Sequence, residues 1–317
     1  MSATAAPPSE YAAVTGSCGL LDRSERGKLA LTGTEAKSFL QGQVTNDVEA
    51  LTPGTGCYAA FLTPKGKMLG DMRVLDTGDE LLLDTERVAL QPLFNMIRRM
   101  TIGYDAQLHK RTLERGLLSL IGPGSDAVAG ASGLDATEHA HTELEVGGVT
   151  ARAIRTDVGI DLLCDSGQTE TLRASLLAAG AVLVSDATAE CVRIERGRPR
   201  YGVELDDRVI PQEAGLNERA VSFTKGCYVG QETVARLHYR GKPNRLLRGL
   251  RLSEPAEPGA PLTSGEREVG VLASVAVSPR LGPIGLALVR REAEIGSRVD
   301  VGAGDRAGAE VVELPFA

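Results

Sequence analysis

Apolar residues change their spacing along this chain in a way that predicts mixed α and β structure first and an all-β unit last. Thr32 and Glu35 stand at capping-box spacing, and Ala36, Phe39, Leu40 and Val44 then follow the period of a helix. Pro53-Gly54 breaks the chain before Cys57 to Leu62, a short apolar strand, and Met68 to Leu75 reads as its return partner across a turn at Pro64 to Lys67. Leu81 to Leu83 is another strand. Leu90, Leu93, Phe94, Ile97 and Met100 share one helical face, with Arg98 and Arg99 on the exposed side. Residues 121–148 are rich in small and acidic groups and read as weakly structured loop. Thr169 to Ala179 predicts a helix ended by Gly180. A further helix starts at Ser185 with Ala187, Cys191 and Ile194 on one stripe. From Leu246 the pattern becomes short alternating runs separated by Gly, Pro and Ser, at 246–252, 269–277, 284–290, 299–301 and 309–314. That predicts a small barrel or sandwich.

Composition narrows the classes. A chain of 317 residues is long enough for two or three domains. A net charge of −7 argues against a broad basic surface for nucleic acid, and 3 % aromatics without tryptophan leaves few residues for base stacking. No apolar run has the length of a membrane span. Residues 1–12 read as a disordered tail, giving a division into a tail at 1–16, a body at 17–245 and the all-β unit at 246–317. Five scattered cysteines, 18, 57, 164, 191 and 227, suit a reducing cytoplasm and form no metal or redox pair. Gly54 to Ala59 fits a dinucleotide-loop pattern but lies before a strand where that loop should follow one, so it is rejected. His139 and His141 read as a solvated pair in an acidic loop, with no third ligand nearby, and no metal site is predicted.

One octapeptide is more informative than any of this: Lys225-Gly226-Cys227-Tyr228-Val229-Gly230-Gln231-Glu232. A thiol needs a nearby positive charge to become a thiolate near neutral pH, and Lys225 could supply it. The competing reading is an inert cysteine in a tight loop. The order K-G-C-Y-x-G-Q-E resembles the signature of the YgfZ family of folate-binding proteins. Around it stand Arg193 to Pro199, Ile210 to Glu213, Asn217, Val221 to Phe223, Val234 to Arg236 and Tyr239 to Gly241, in that family's order. Phe39 to Val48 is similar to a block shared with the glycine-cleavage T-protein (GcvT). The resemblance implies an α+β, GcvT/YgfZ-like multidomain fold, with ferredoxin-like elements around a central folate channel and a C-terminal β-barrel.

The resemblance also implies roles. Glu195 would hydrogen-bond the pterin ring of tetrahydrofolate, against a solvated helix glutamate paired with Arg193 or Arg198. Asp71 stands where T-proteins carry two consecutive aspartates; here the pair is Gly70-Asp71, and if Gly70 replaces the catalytic one, aminomethyl transfer is impaired. The alternative for Asp71 is a turn end or a pair with Arg73. Cys227, with Lys225, would be a redox-sensitive thiol, a transient ligand or a nucleophile. Gly226 and Tyr228 would flank the cofactor. Arg236 or Arg240 could clamp the folate glutamate tail, or both could belong to a basic surface stripe. The leading expectation is a tetrahydrofolate-binding accessory factor for maturation or repair of iron–sulfur enzymes, including those that thiolate tRNA. The alternative is a tetrahydrofolate-dependent aminomethyltransferase, and a third is a folate sensor without chemistry. Folate and iron–sulfur client enzymes are the expected partners, with no direct nucleic-acid or membrane contact.

Overall fold

The computed structural model describes residues 5–302 and 307–317. Its first half runs α1 (Pro8–Gly16), β1 (Gly19–Asp22), β2 (Gly27–Thr32), α2 (Ala36–Gln41), β3 (Gly56–Leu62), β4 (Met68–Asp76), β5 (Leu81–Thr85), α3 (Arg87–Met100), β6 (Gln107–Lys110) and β7 (Arg115–Ile121). It continues with α4 (Ser125–Ala129), β8 (His141–Val146), β9 (Val149–Arg155), β10 (Gly159–Asp165), α5 (Thr169–Ala178), β11 (Val182–Leu183), α6 (Asp186–Glu195), α7 (Asn217–Ala220) and α8 (Gln231–Arg240). The last strands, β12 (Arg245–Leu252), β13 (Pro261–Ser264), β14 (Arg267–Ser278), β15 (Gly282–Arg290), β16 (Arg298–Val301) and β17 (Ala307–Val312), close into a six-stranded barrel.

Two sheets make the body. One has the order β3-β4-β5-β2-β6 and the other β11-β1-β7-β10-β9-β8, so β1 and β2, neighbours in sequence, enter different sheets. Strand alternation decides what each face carries. Ala59, Phe61, Met72, Val74 and Leu83 turn to α2 and α3, meeting Phe39, Leu40, Leu93 and Ile97 in one apolar core. On the second sheet Leu118, Leu120, Ile160 and Leu162 pack with Leu172 and Leu176 of α5. The opposite faces carry Arg73 and Asp84 on one sheet and Asp161 and Ser119 on the other. They meet across the interior, where Arg73 donates to Asp161 at 2.7 Å. Helices therefore cover the outer faces, while polar side chains fill the space between the sheets.

Three expectations are corrected by the fold. Residues 8–16, assigned to a disordered tail, form α1 with Tyr11, Ala13 and Val14 buried. Tyr11 joins Cys191, Ile194 and Phe316 in a cluster tying α1 and α6 to the barrel. The helix expected from the Thr32–Glu35 capping box, α2, begins at Ala36 with Glu35 as its N-cap, because Thr34 and Glu35 are both occupied by Asp105. On α6 the buried stripe is Thr188, Cys191, Ile194 and Glu195, with Ala187 half-buried at its edge. No helix among the described residues is long and apolar enough to cross a membrane.

Candidate functional site

The space between the sheets holds a dense set of charges. Asp71 lies on β4 opposite Ala60 of β3, two residues from Arg73 and on the same polar face. Its Oδ2 accepts a 2.5 Å hydrogen bond from the Tyr58 hydroxyl. Burial raises the Asp71 carboxyl to about 6; the Tyr58 bond opposes that rise, Glu86 adds to it and Arg26 reduces it. Tyr58 is itself pushed well above an ordinary tyrosine by burial and by the Asp71 charge. Asp84 is the opposite case. Burial disfavours its ionisation, yet Arg26 at 2.6 Å and Arg73 at 2.6 Å hold it far below the usual carboxylate range. The two aspartates differ in where they ionise, Asp71 in mildly acid conditions and Asp84 far below, because Asp84 alone has guanidinium groups bonded to it.

Two of the arginines near this cluster keep contact with solvent. The Arg23 side chain keeps 35 % of its surface open and Arg200 keeps 36 %, yet burial is the leading influence on Arg23, Tyr58, Asp71 and Glu190. Arg23, partly open to solvent and still desolvated, stands at a recessed cleft, whereas Asp71, 6 % exposed, is buried in the interior beside it. Arg219 lies over the Tyr58 ring at 5.2 Å and pairs with Glu138 at 2.5 Å. Glu138 is also near Arg198; burial works against its ionisation, but the Arg219 bond and charge outweigh it and its pKa is lowered. The arrangement lets Asp71 exchange a proton at about pH 6 and presents positive charge to an anionic group. Those two abilities fit a ligand with a titratable ring nitrogen and a carboxylate.

Position 70 faces the other way. A Cβ on Gly70 would stand 2.7 Å from Leu93 Cδ1, so this position looks into the core under α3. Of the Gly70-Asp71 pair, Asp71 is the one facing the cleft, and the glycine removes no carboxylate from it.

The other sequence-derived candidates lie apart from this cluster. The Lys225 ammonium donates to the carbonyls of Gln41 at 2.6 Å, Val44 at 2.8 Å and Asn46 at 2.8 Å. All three donors are spent as a clamp on the loop after α2, so the expected activation of Cys227 by Lys225 is not what the structure presents. Burial lowers Lys225 to about 8. Gly226 and Cys227 are exposed, while Tyr228 is buried in an apolar cluster with Ala60, Leu205 and Val234, where burial pushes its phenol up to about 12. Glu195 is 9 % exposed and already engaged: Tyr11 donates to both its oxygens at 2.9 and 3.1 Å, and Ser278 donates at 2.5 Å. Neither Arg193 nor Arg198 pairs with it; Arg193 turns to Glu190 and Glu204, and Arg198 to Asp157. Arg236 is 70 % exposed and paired with Glu232 on α8, and Arg240 is exposed at the end of that helix. The arginines grouped with the interior carboxylates are instead Arg26 and Arg73 on Asp84, Arg23 near Glu86, and Arg219 over Tyr58.

His139 and His141, read as a solvated pair, are both buried. Burial, then Arg73, lowers His139 to about 4, and it is the non-glycine residue with positive φ, at 73°, among the described residues. Among those residues no group of three or more His, Cys, Asp or Glu could hold a metal ion. Sequence reasoning passed over Tyr58, Arg23, Asp84 and Asp161. The signal for the two aspartates was a charge set inside an otherwise apolar strand run, Leu81 to Thr85 and Gly159 to Cys164.

Comparison with known proteins supplies the context. The signature of the GCVT N-terminal domain matches residues 2–225, and that of the glycine cleavage T-protein C-terminal barrel domain matches residues 245–317. A chloroplast protein of Arabidopsis thaliana named as a transferase is 31% identical, over 94% of this chain and 71% of its own length. The aminomethyltransferase of Rubrobacter xylanophilus is 31% identical over 97% of this chain and 85% of its own. Among solved structures, aminomethyltransferase T of Bartonella henselae has a TM-score of 0.86 at 23% identity, covering 99% of this chain and 91% of that one. At that identity the likeness concerns the fold.

Proposed function

This chain belongs to the glycine cleavage T-protein family, and from that premise we propose that it binds tetrahydrofolate in the interior cleft and transfers a one-carbon unit of aminomethyl type. The observation that carries this reading is Asp71, a buried carboxyl on the cleft face with its pKa raised to about 6 and a phenol on its Oδ2. When bound, tetrahydrofolate would supply the nitrogens that accept the one-carbon unit. A general acid–base is most effective when its pKa lies near the working pH, and a carboxyl at about 6 can both release and recover a proton there. Tyr58 fixes the orientation of Asp71 Oδ2 and leaves Oδ1 for a proton in transit. Arg219 beside the Tyr58 ring favours a developing negative charge on that side of the cleft. Glycine at position 70 does not count against transfer, because that position faces Leu93. The test is formation of 5,10-methylenetetrahydrofolate from an aminomethyl-bearing lipoyl carrier, comparing wild type with Asp71→Asn. We expect turnover by the wild type and a loss of about 100-fold or more in the variant, the usual range for removing a general acid–base. Wild type that binds tetrahydrofolate without any turnover overturns the transferase reading.

A second reading has its own observation. Cys227 is exposed, within the K-G-C-Y-x-G-Q-E segment, as a thiol serving a partner would need to be. On this reading the protein is a YgfZ-type, folate-binding accessory factor for iron–sulfur enzymes in the cytoplasm. Complementation of a strain lacking its own YgfZ-type protein decides it. Rescue of a labile iron–sulfur enzyme by wild type but not by Cys227→Ala supports the thiol role, and rescue by neither removes it.

A further inference from the structure

The arginines of the cleft are not equally engaged. Arg26 binds Asp84 at 2.6 Å and also pairs with Glu86. Arg73 bridges Asp84 and Asp161 at 2.6 and 2.7 Å. Arg198, Arg200, Arg193 and Arg219 each have a carboxylate within 3.2 Å. Arg23 differs: among the described residues its one ion pair, to Glu86, is 3.7 Å long, beyond hydrogen-bond reach, and that carboxylate is already committed to Arg26. The Arg23 side chain keeps 35 % of its surface open.

The backbone that presents Arg23 is firmly held. Arg23 N donates to Leu117 O at 2.8 Å, and Arg26 N closes a turn on Arg23 O at 3.1 Å. Ser24 N binds Asp22 Oδ1 at 2.8 Å, Leu117 N binds Ser24 Oγ, and the Lys28 ammonium donates to the carbonyls of Ser24 and Arg26. A long cation on a fixed turn, in a partly desolvated cleft and without a bonded counter-ion, is an expensive arrangement unless something completes it.

We propose that Arg23 is a ligand-binding residue of the cleft, holding a carboxylate of the bound substrate through its guanidinium fork. A planar carboxylate matches that fork in two parallel hydrogen bonds. A phosphate suits the place less well, because Asp84, Glu86 and Asp161 act on Arg23 electrostatically and a dianion would meet their repulsion. Arg23 and Asp71 share Glu86 and Arg26 as charged neighbours, so the carboxylate sits within the same part of the cleft as the proton-handling group. The proposal rests on the folate reading only for which molecule brings the carboxylate: the glutamate tail of tetrahydrofolate or a small amino acid serving as one-carbon donor.

The experiment measures binding by titration calorimetry to wild type, Arg23→Gln and Arg23→Lys. The ligands are tetrahydrofolate, tetrahydropteroate (which lacks the glutamate) and N-methylglycine. Loss of a charged, bidentate bond predicts a weakening of about 10-fold to 100-fold in the Gln variant, with partial recovery in Lys. A loss for tetrahydrofolate with none for tetrahydropteroate assigns the carboxylate to the tail. A loss confined to N-methylglycine assigns it to a small amine, and this arm stands even where the wild type binds no folate. Unchanged binding of every ligand, equal loss for all of them, or no binding of any of them by the wild type overturns the proposal.

Discussion

Replacing Asp71 by Asn isolates one carboxyl and should move stability and activity in opposite directions. Asp71 is 6% exposed, and burial raises its pKa to about 6, against about 3.9 for an aspartate in an unfolded chain. Two pKa units correspond to about 3 kcal/mol. The folded pKa is the higher one, so between about pH 4 and about pH 6 the folded state holds a proton that the unfolded state has released. Stability therefore falls as pH rises through that window, and above it the ionised carboxylate costs the folded protein about 3 kcal/mol. Asparagine is neutral at every pH, and its Oδ1 can accept the same Tyr58 hydrogen bond. Urea unfolding of both proteins across that range should show the variant gaining on the wild type from the acid end upward, by up to about 3 kcal/mol near neutrality. One-carbon transfer in the same preparations should collapse. A stability difference that does not change with pH would refute the account of Asp71 as a carboxyl held against its own ionisation.

Lys225→Met leaves the carbonyls of Gln41, Val44 and Asn46 without their shared donor and should cost about 3 kcal/mol in denaturant unfolding. The same substitution should leave the rate at which an aromatic disulfide modifies Cys227 within about twofold of wild type, since the ammonium is spent elsewhere. Gly70→Asp brings a carboxylate against Leu93 and should destabilise by about 3 kcal/mol without raising turnover, read by thermal unfolding beside the transfer assay. Tyr11→Phe removes the hydroxyl that meets both Glu195 oxygens and should cost about 1 to 2 kcal/mol. If Glu195 contacts the pterin, the same change should tighten tetrahydrofolate binding by freeing an acceptor.

Much of the fold was legible because periodicity reports which face is buried. The β3–β4 pair, α3, α5 and the terminal run of strands all follow spacing that burial requires. Of the buried charge cluster, the sequence singled out Asp71 as a candidate but not its partners, for a physical reason. Arg23 and Arg26 lie in a polar stretch, Asp22 to Arg26, that reads as a solvated turn, and only the packing of a second sheet over it makes those charges interior. α1 escaped because its apolar residues are few and small, and its burial depends on α6 and the barrel. Lys225 was misjudged because proximity along the chain suggested a thiol partner, whereas a buried ammonium seeks carbonyls wherever the fold brings them, here some 180 residues away.

The Lys225 clamp also bears on how the two functional readings relate. It fixes the loop that contains Thr45 and Asn46, and that loop is bonded to β3. Asn46 Nδ2 donates to Tyr58 O at 2.9 Å and to Arg219 O at 3.1 Å, and Ala60 N binds Thr45 Oγ1 at 2.9 Å. Tyr58 then holds Asp71. The segment bearing Cys227 and the strand bearing the cleft acid are therefore parts of one hydrogen-bonded scaffold, anchored on both sides by buried groups. Lys225 sits at its centre. A K-G-C-Y-x-G-Q-E segment retained for its thiol and one retained for its lysine make different demands on substitution. The first tolerates no change at Cys227, while the second needs the ammonium and leaves the cysteine free to vary. Comparing Lys225→Met with Cys227→Ala in the folate-binding and transfer assays separates them. On the scaffold argument, losing the clamp loosens the wall around Tyr58 and weakens folate binding, whereas losing the exposed thiol leaves the cleft intact.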